Sequence, residues 1–341
     1  MTGHENLARE ALKAVMSGRD LGRDTTEDLF GELMDGKLSE IMKSALLASL
    51  ATKGETAQEI AGAAAAMRGR VRAIPHEVAD VVDTCGTGGD GKGTFNISTA
   101  AALVAAAAGA PVAKHGNRSV SSRSGSADVL ASLGVRIDLE PEDAARALAE
   151  IGIAFLFAPN LHPAMKEVMP VRREMGVRTI FNCLGPLTNP AGARRQVMGV
   201  FSPRLVETLG HVQAELGAVH ALVVHGSDGL DEITTTGPTL VAETRDGKVT
   251  TYEVTPEALG VDRATEDDLL GGSPEDNAEL MAKVLAGEPG PLADITAVNA
   301  GAALYVAGRA PDLKRGVEAA RAALMDGSAA AKLEQLKAFG R

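Results

Sequence analysis

The sequence predicts an α/β protein in which a small helical part precedes a larger part built on a mainly parallel sheet. Residues 1–72 show only helical periodicity: apolar residues such as Leu7, Leu12 and Val15 recur at near-helical spacing between short polar breaks. From Val78 onward, apolar strand candidates alternate with glycine-containing loops and helix candidates. That alternation is typical of right-handed βαβ units, which build a parallel sheet.

The elements predicted after the helical part follow one another at short intervals. The strand candidates cover residues 78–82, 111–114, 135–139, 153–157, 196–201 and 220–224. Helices are predicted at 99–108 and at 141–151, the second with Pro141 in its first turn. Residues 287–291 are predicted to form a loop that precedes helices running to the C-terminus.

Composition and charge argue against several classes of function. The chain carries a formal net charge of -11, so a broad basic surface for nucleic acid is not expected. Cys85 and Cys183 are too few for a zinc cluster or a disulfide framework, and they suit a reducing cytoplasm. The most apolar stretch, residues 97–113, is shorter than the roughly 20 residues of a membrane-spanning helix, and the N-terminus lacks signal-peptide features. We therefore expect a cytoplasmic protein that neither spans a membrane nor binds nucleic acid.

A glycine-rich loop at residues 83–99 lies between a predicted strand and a predicted helix. Its successive glycines allow positive φ angles and a close approach of backbone N–H groups to a ligand. Ser98 and Thr99 open a helix whose N-terminus favours negative charge. The segment predicts a phosphate site, and the plainer alternative is a solvent-exposed connecting loop.

Two familiar phosphate-binding motifs are not satisfied in this loop. The pattern G-x-G-x-x-G is present from Gly86, but the helix begins too late, and the residues about 20 positions on are Lys114 and His115 rather than a carboxylate. The loop also imitates a P-loop, yet Gly93 stands where a serine or threonine should bind magnesium. The loop therefore belongs to neither a dinucleotide-binding nor a P-loop protein.

A second polar segment, residues 114–126, follows the next predicted strand. Between Thr84 and Ser126 there are four basic residues and one acidic residue, a local excess of +3 in an acidic protein. Because the carboxyl ends of parallel strands meet at one edge of a sheet, we expect both loops to surround one ligand. The charge excess suits a multiply phosphorylated substrate, and the alternative is a solvated loop.

Several segments taken together resemble the substrate-binding signatures of the anthranilate phosphoribosyltransferase family. They are GTGGD at 86–90, NIST at 96–99, KHGNR at 114–118, HPAMK at 162–166, RRE at 172–174, RTIFN at 178–182, LGPLTNP at 184–190 and DE at 231–232. The resemblance is ordered along nearly the whole chain. Any one segment alone would be a weak signal, but the set is specific.

The resemblance implies a fold and an assembly. It implies a helical domain at residues 1–72, onto which a later helical segment near residues 163–185 packs, and an α/β domain at residues 73–341. The active site is expected in the cleft between the two domains. Members of the family are commonly homodimers that associate through the helical domain, so a homodimer is expected here.

The resemblance also implies roles for individual residues. The phosphoribosyl diphosphate site would comprise Gly86, Gly89, Asp90, Thr94, Asn96, Ile97, Ser98, Thr99, Lys114, Asn117, Arg118, Ser119, Val120, Ser121, Ser122 and Ser126. The anthranilate site would comprise Gly86, Asn117, Arg172, His115, His162 and Gly185, with Arg172 pairing with the substrate carboxylate. Ser98, Asp231 and Glu232 would organise two Mg²⁺ ions, since hard oxygen ligands and substrate phosphates suit that metal.

The implied reaction is the displacement of diphosphate from C1 of the ribose by the anthranilate nitrogen, with inversion, as a step of tryptophan biosynthesis. An aromatic amine is neutral at pH 7, so neither a strong base nor a covalent nucleophile is required. The difficulty lies in the charge of the leaving group, which magnesium, Lys114 and the loop N–H groups would stabilise. Positioning two substrates in one cleft would supply much of the remaining acceleration.

Other functions remain open at this point. A pyrimidine nucleoside phosphorylase shares the architecture and the glycine-rich loop, but it would need no carboxylate clamp such as Arg172. A related nucleic-acid-binding protein is disfavoured by the net charge of -11, and another aromatic acid is conceivable as the acceptor. Plainer roles exist as well: Asp231 and Glu232 as surface charge, Arg172 on a solvated helix face, and His162 in a satisfied loop.

Overall fold

Four helices form the N-terminal part of the molecule. The computed structural model describes residues 3–119 and 123–339. The four helices are α1 (Gly3–Met16), α2 (Arg23–Met34), α3 (Glu40–Lys53) and α4 (Ala57–Arg68). Polar caps set the starts of α3 and α4: the Ser39 side chain accepts from Met42 N, and Thr56 and Glu59 form a capping box at the start of α4. Glu59 also accepts from Leu21 N and pairs with Lys53, so this buried carboxylate joins three segments of the bundle.

A seven-stranded sheet forms the centre of the second part, in the order β3-β2-β1-β4-β5-β6-β7. The strands are β1 (Val82–Asp83), β2 (Val112–Gly116), β3 (Ile153–Phe157), β4 (Arg195–Gly199), β5 (His220–Gly226), β6 (Thr239–Arg245) and β7 (Lys248–Val254). The first five strands in the spatial order are parallel, and β6 and β7 are antiparallel. The short β1 lies between β2 and β4, where the strand order reverses, and ligands bind at such switch points in open α/β sheets.

Helices cover the sheet and connect its strands. They are α5 (Ile97–Ala107), α6 (Ser126–Ser132), α7 (Pro141–Ile151), α8 (Ala158–Leu161), α9 (Met169–Met175), α10 (Phe181–Leu184), α11 (Arg204–Glu215), α12 (Pro256–Leu259), α13 (Pro274–Leu285), α14 (Pro291–Val306), α15 (Leu313–Met325) and α16 (Ser328–Ala338). Short 3₁₀ turns occupy Pro163–Glu167, Pro186–Thr188 and Asp267–Leu269. Helices α5 and α14 are apolar on nearly all sides because they pack against the sheet and against other helices. In the described part of the chain, no helix is long and apolar enough to cross a bilayer.

Three apolar cores pack on the sheet, and the two larger ones lie on its opposite sides. One contains α5, α14 and the C-terminal helices together with Val197, Leu222 and Val241. The other joins Met198 and Val223, which point the opposite way from the same strands, to the N-terminal helices and to residues of α9 and α10. The helical part therefore packs onto the second part through a continuous apolar core, and the later segment containing α9 and α10 belongs to that contact.

The predicted α/β class and the mainly parallel sheet are confirmed, and β3 and α7 have the predicted bounds. Two strand assignments differ clearly. The 78–82 strand is only Val82–Asp83, because the chain turns at Asp80, which has a positive φ of 55°. Residues 135–139 form no strand: Val135 and Leu139 are buried, but the segment pairs with no described strand.

The hairpin of β6 and β7 was absent from the predicted elements. Its turn is Asp246-Gly247, with φ angles of 50° and 76°, the conformation of a two-residue hairpin turn. An Asp-Gly pair between two strand-like runs is a strong hairpin signal, so the sequence contained the information.

Candidate active site

The glycine-rich loop leaves the carboxyl end of β1 and ends at the N-terminus of α5. Gly88, Gly89, Gly91 and Gly93 all have positive φ, as the run of glycines predicts. Gly88 N donates to Asp231 Oδ2 at 2.8 Å. The loop is therefore held against the acidic residues that follow β5, although these are far apart in sequence.

Two glycines allow this close approach. A Cβ on Gly86 would lie 3.0 Å from Gly199 O and 3.2 Å from Asp231 Oδ2. A Cβ on Gly199, at the end of β4, would lie 1.5 Å from Asp231 O, which is impossible without moving the backbone. Thr87 N and Thr87 Oγ1 both donate to Gly199 O, at 2.8 and 3.3 Å. The loop, the end of β4 and the acidic pair thus form one tightly packed unit.

Asp231 and Glu232 are partly buried and interact strongly with each other and with Asp90. Burial, followed by the neighbouring Glu232 and Asp90, raises the pKa of Asp231 well above its usual range. Burial also raises the pKa of Glu232 to about 7, although Lys114 and Ser98 act in the opposite direction. Crowded carboxylates of this kind need either protons or a cation. Their hard oxygen atoms, close to Ser98, fit Mg²⁺.

Lys114 is a buried cation at the end of β2, with 3% of its surface exposed. Its Nζ donates to Thr84 O and Thr84 Oγ1 at 3.3 and 3.2 Å and to Ser98 Oγ at 3.3 Å. Within residues 3–119 and 123–339 no carboxylate forms an ion pair with it. The ammonium group therefore joins the start of the loop to the first turn of α5 and supplies positive charge beside the acidic pair.

The remaining donor-site candidates lie at the end of the loop or in the first turn of α5. Asp90 Oδ1 accepts from Lys92 N at 3.2 Å, and Thr94 forms an isolated bridge with Leu270. Asn96 is hydrogen-bonded through its side chain to Ser124 and Asn277. Ile97 and Thr99 are buried in the first turn of α5.

The segment after β2 folds back on itself. Asn117 O accepts from Ala127 N at 3.1 Å and from Ser126 Oγ at 3.3 Å. Arg118 Nη1 pairs with Asp128 Oδ1 at 2.9 Å, and Ser119 N donates to Asp128 Oδ2. Val120, Ser121 and Ser122, which the resemblance assigns to the donor site, lie outside the described residues.

The local excess of positive charge is partly neutralised by protein carboxylates. Lys92 Nζ pairs with Glu266 Oε2 at 3.0 Å, and Arg118 pairs with Asp128. Neither acidic partner lies within residues 84–126, so the segment alone could not reveal them. Lys114 is the buried cation of the site.

His115, His162 and Gly185 contact one another in the interior. The two Nε2 atoms are 3.0 Å apart, and His115 Nδ1 is 3.2 Å from Gly185 O. Burial lowers the pKa of His115 to about 3 and that of His162 to about 4, so both imidazoles are neutral at pH 7. A neutral pair of rings of this kind suits contact with an uncharged aromatic ring.

Arg172 lies on α9 with its guanidinium 5.5 Å from the centre of the Phe181 ring. Burial lowers the pKa of Arg172, and within the described residues no carboxylate pairs with it. The adjacent Arg173 is exposed. A partly buried guanidinium without a protein anion is suited to an anionic ligand, which disfavours the solvated-face alternative.

Two further residues belong to the site and had no assigned role. Arg178 Nη2 donates to Gly89 O at 2.5 Å, and its guanidinium stacks 4.1 Å from the centre of the Phe201 ring. Asp83 is fully buried at the end of β1, and its Oδ1 accepts from His115 N at 3.1 Å. Arg178 lies within the RTIFN segment, and Asp83 directly precedes the glycine-rich loop. Their positions in the sequence could therefore have identified both as site residues.

Asp83, Cys85 and His115 also place potential metal-ligating atoms within 4.8 Å of one another. Burial raises the pKa of the Cys85 thiol far above its usual range, so it is a protonated thiol at pH 7. A neutral thiol and an imidazole are poor ligands for Mg²⁺. The oxygen-rich surroundings of Asp231 and Glu232 are the better magnesium site.

Known proteins resemble this chain along almost its whole length. Residues 9–71 match the helical bundle domain of a glycosyl transferase family, and residues 78–330 match the a/b domain of that family. The anthranilate phosphoribosyltransferase of Desulfosudis oleivorans is 52% identical over 331 residues, covering 97% of this chain and 98% of the relative. That of Symbiobacterium thermophilum is 52% identical and covers 96% of both chains.

Solved structures agree with the sequence comparison. The anthranilate phosphoribosyltransferase of Thermus thermophilus superimposes with a TM-score of 0.92 at 48% identity, covering 96% of this chain and 98% of that one. The Saccharomyces cerevisiae enzyme, in complex with PRPP (phosphoribosyl diphosphate) and Mg, superimposes with a TM-score of 0.87 at 25% identity and covers 97% of both chains. The chain therefore belongs to the anthranilate phosphoribosyltransferase family.

Proposed function

We propose that this chain transfers the 5-phosphoribosyl group of phosphoribosyl diphosphate to the amine of anthranilate, as a step of tryptophan biosynthesis. The observation that carries the proposal is the contact between the glycine-rich loop and Asp231. Backbone N–H groups, a buried ammonium and a carboxylate pair converge there, at the switch point of the sheet. This combination suits a diphosphate accompanied by a divalent cation.

The donor occupies the space between the glycine-rich loop and the segment after β2. The N–H groups near Gly86, Gly89 and Asp90, together with the N-terminus of α5, face its diphosphate. Lys114 adds a buried positive charge. Thr94, Asn96, Ser98, Thr99 and the 117–126 segment complete the donor site.

Ser98, Asp231 and Glu232 hold Mg²⁺, and we propose two ions. The raised pKa values of the two carboxyl groups mean that, without a metal, the pair retains protons near neutral pH. Bound magnesium neutralises diphosphate charge and acts as a Lewis acid toward the leaving oxygen. Three nearby carboxylates, including Asp90, supply enough negative charge for more than one divalent ion.

The acceptor lies on the side of Arg172 and the His115–His162 pair. Arg172 pairs with the anthranilate carboxylate through its planar guanidinium. His115, His162 and Gly185 line the pocket with Asn117 and Gly86, and the neutral imidazoles avoid repelling Arg172. A pyrimidine nucleoside phosphorylase would need no clamp for a substrate carboxylate.

The reaction forms a bond between the anthranilate nitrogen and C1 of the ribose and breaks the bond from C1 to the diphosphate oxygen. The nitrogen loses a proton after attack, and the diphosphate leaves with the bonding electrons. Lys114 and the loop N–H groups stabilise that developing charge, and Arg172 orients the amine toward C1. No residue of the chain forms a covalent intermediate.

We also propose a homodimer in the cytoplasm. Met16 at the end of α1 is 72% exposed and Ile41 at the start of α3 is 84% exposed, on two helices that pack together. Large apolar side chains that are this exposed on neighbouring helices suit an association surface. Both cysteines are free, which suits a reducing compartment.

The activity is tested by mixing the protein with anthranilate, phosphoribosyl diphosphate and Mg²⁺ and following the loss of anthranilate fluorescence. We expect a loss that requires all three components. A control replaces anthranilate with inorganic phosphate and the donor with a pyrimidine nucleoside. Base release in the control, or no fluorescence loss in the complete mixture, would overturn the proposal.

A further inference from the structure

A buried asparagine on α13 contacts the donor site from a part of the chain that carries none of the site's motifs. Asn277 has 1% of its surface exposed, and its Nδ2 donates to Asn96 Oδ1 at 2.8 Å. The two residues are 181 positions apart. Asn96 in turn contacts Ser124, so three segments meet at one amide group.

The hydrogen bonds around these amides have a fixed direction. Gly272 N donates to Asn277 Oδ1 at 2.8 Å, and a backbone N–H can only donate. Asn277 must therefore present its Nδ2 to Asn96 Oδ1. Asn96 then directs its own Nδ2 toward Ser124 O, at 3.1 Å.

The Ser124 hydroxyl strengthens this arrangement. Its Oγ donates to Asn96 Oδ1 at 3.1 Å, so that oxygen accepts two hydrogen bonds while Asn96 Nδ2 donates to Ser124 O. The amide plane of Asn96 is thereby fixed, and the end of the glycine-rich loop is tied to the segment that follows β2. These two loops come from different strands, β1 and β2, and enclose the proposed donor site.

The backbone before α13 supports the same loop. Phe95 N donates to Leu269 O at 3.0 Å, and Gly271 N donates to Gly93 O at 3.0 Å. A Cβ on Gly271 would lie 2.8 Å from Thr94 O and 2.5 Å from Asn277 Oδ1, so only glycine allows the two backbones to approach this closely. Residues 269–277 therefore act as a brace for the loop.

We propose that Asn277 is a positioning residue for the phosphoribosyl donor. Through Asn96 it fixes how the glycine-rich loop and the segment after β2 sit relative to each other. It acts through another residue and does not itself contact the donor. The inference rests on the proposed function, since it assigns the two loops to the donor. We expect its effect to fall mainly on the donor, because in residues 3–119 and 123–339 no hydrogen bond joins Arg172, His115 or His162 to Asn277, Asn96 or Ser124.

The test compares Asn277→Ala and Asn277→Asp with the unmodified protein in steady-state kinetics, varying donor and acceptor separately. We expect Asn277→Ala to raise the KM for phosphoribosyl diphosphate about five- to tenfold, the effect of one lost buried hydrogen bond. The KM for anthranilate should stay within about twofold. Asn277→Asp should raise the donor KM further, because a carboxylate would face the Asn96 oxygen and both groups are acceptors.

Two further variants separate positioning from loss of stability. Thr244→Val removes another buried hydrogen bond, from Thr244 Oγ1 to Gly210 O at 2.7 Å, on β6 and α11. It should lower the melting temperature and leave both KM values unchanged. Gly271→Ala disturbs the brace without changing Asn277, because the added Cβ would press on Thr94 O and Asn277 Oδ1. It should also raise the donor KM selectively, so it tests the inference even if both Asn277 variants fail to fold.

Equal changes in both KM values, or a donor KM within twofold of normal in the folded variants, would overturn the inference. Calorimetric titration with phosphoribosyl diphosphate and Mg²⁺, without acceptor, provides a readout independent of turnover. If the unmodified protein is active but the Asn277 variants keep a normal donor KM, this inference fails and the proposed function stands. An inactive unmodified protein would instead defeat the proposed function.

Discussion

The buried His115 and His162 contact each other through their Nε2 atoms, which are 3.0 Å apart, and their ring planes are tilted by 47°. One nitrogen must donate and the other accept, so two charged imidazoles are incompatible with this contact. Burial accordingly lowers both pKa values, to about 3 and about 4. A histidine pair buried in the neutral form makes stability depend on pH.

We expect acid to destabilise the protein from about pH 6.5 downward. The unfolded chain takes up protons near pH 6.5, whereas folded His162 does so only near pH 4, so stability falls as the pH falls between those values. At pH 5 the loss is about 2 kcal/mol per histidine. In urea denaturation, the free energy of unfolding should fall less between pH 7 and pH 5 for His162→Gln than for the unmodified protein. An unchanged difference between the two pH values would contradict this assignment.

Asp83 has the opposite dependence and serves as a control for the histidine pair. Burial raises the pKa of folded Asp83 to about 6, so as the pH falls the folded protein takes up this proton before the unfolded chain does. Protonation of Asp83 therefore stabilises the folded protein increasingly as the pH falls below 6. In Asp83→Asn, the free energy of unfolding should therefore fall more steeply with decreasing pH than in the unmodified protein. A shallower acid effect in this variant would show that Asp83 is charged in the folded protein throughout the range.

Removing the acidic pair should abolish magnesium-dependent turnover. The double variant Asp231→Asn with Glu232→Gln keeps the shape of both side chains but removes two charges beside Ser98. We expect kcat to fall at least about a hundredfold, because metal stabilisation of leaving-group charge amounts to several kcal/mol. The matched control is the adjacent acidic pair on α7, Glu142→Gln with Asp143→Asn, which should retain activity. Full activity of the site variant, or activity in excess chelator, would refute the assignment.

Magnesium binding should tighten as the pH rises from 6 to 8. The pKa of Glu232 is about 7 and that of Asp231 is also raised, so protons compete with the metal at the lower pH. We expect a fall in the dissociation constant of up to about tenfold per pH unit while one carboxyl is being deprotonated. Calorimetry with Mg²⁺ alone measures this without turnover, and a pH-independent constant would show that the carboxylates bind no competing proton.

The proposed dimer surface can be tested at one exposed residue. Ile41 is 84% exposed on α3, and Ile41→Asp should convert a dimer into a monomer at micromolar concentration, as measured by light scattering. Met325 on α15 is similarly exposed, at 82%, and Met325→Asp is the control that should remain dimeric. If only Met325→Asp dissociated the dimer, the interface would lie on the C-terminal helices instead. A monomeric unmodified protein would remove the dimer altogether.

The parallel part of the fold was predictable because buried strands are short apolar runs bounded by glycine. Residues 153–157 show this, and the structure has the predicted bounds. The strand predicted at residues 135–139 was wrong: Val135 and Leu139 are buried, but these residues pair with no described strand. Burial leaves a pattern in the sequence, whereas pairing depends on what lies alongside.

The composition of the site was predictable, but its long-range contacts were not. Glycines, Lys114 and the acidic pair belong to recognisable segments. Glu266, which neutralises Lys92, and Asn277, which fixes Asn96, lie in helical or loop sequence without a motif. Such partners are specified only by the packing of the C-terminal helices against the loop.

The two proposed substrates should respond separately to two cations. Arg172→Ala removes a charge-assisted contact of roughly 1.5–3 kcal/mol, so the KM for anthranilate should rise about tenfold to a hundredfold while the donor KM changes little. Arg172→Lys should restore only part of the loss, because an ammonium lacks the planar fork of a guanidinium. Lys114→Ala should show the reverse pattern, since its buried charge lies beside Ser98 and the glycine-rich loop.

Arg173 provides the matched control for this comparison. It is the next residue on α9, carries the same charge and is exposed, so Arg173→Ala should leave both KM values within about twofold. If Arg172→Ala weakened both substrates equally, the arginine would hold the cleft together rather than clamp one ligand. If Arg172→Ala behaved like Arg173→Ala, its partly buried guanidinium would have no anionic partner in the reaction. A selective effect of Arg172 on anthranilate and of Lys114 on the donor would assign the two cations to different substrates within the same cleft.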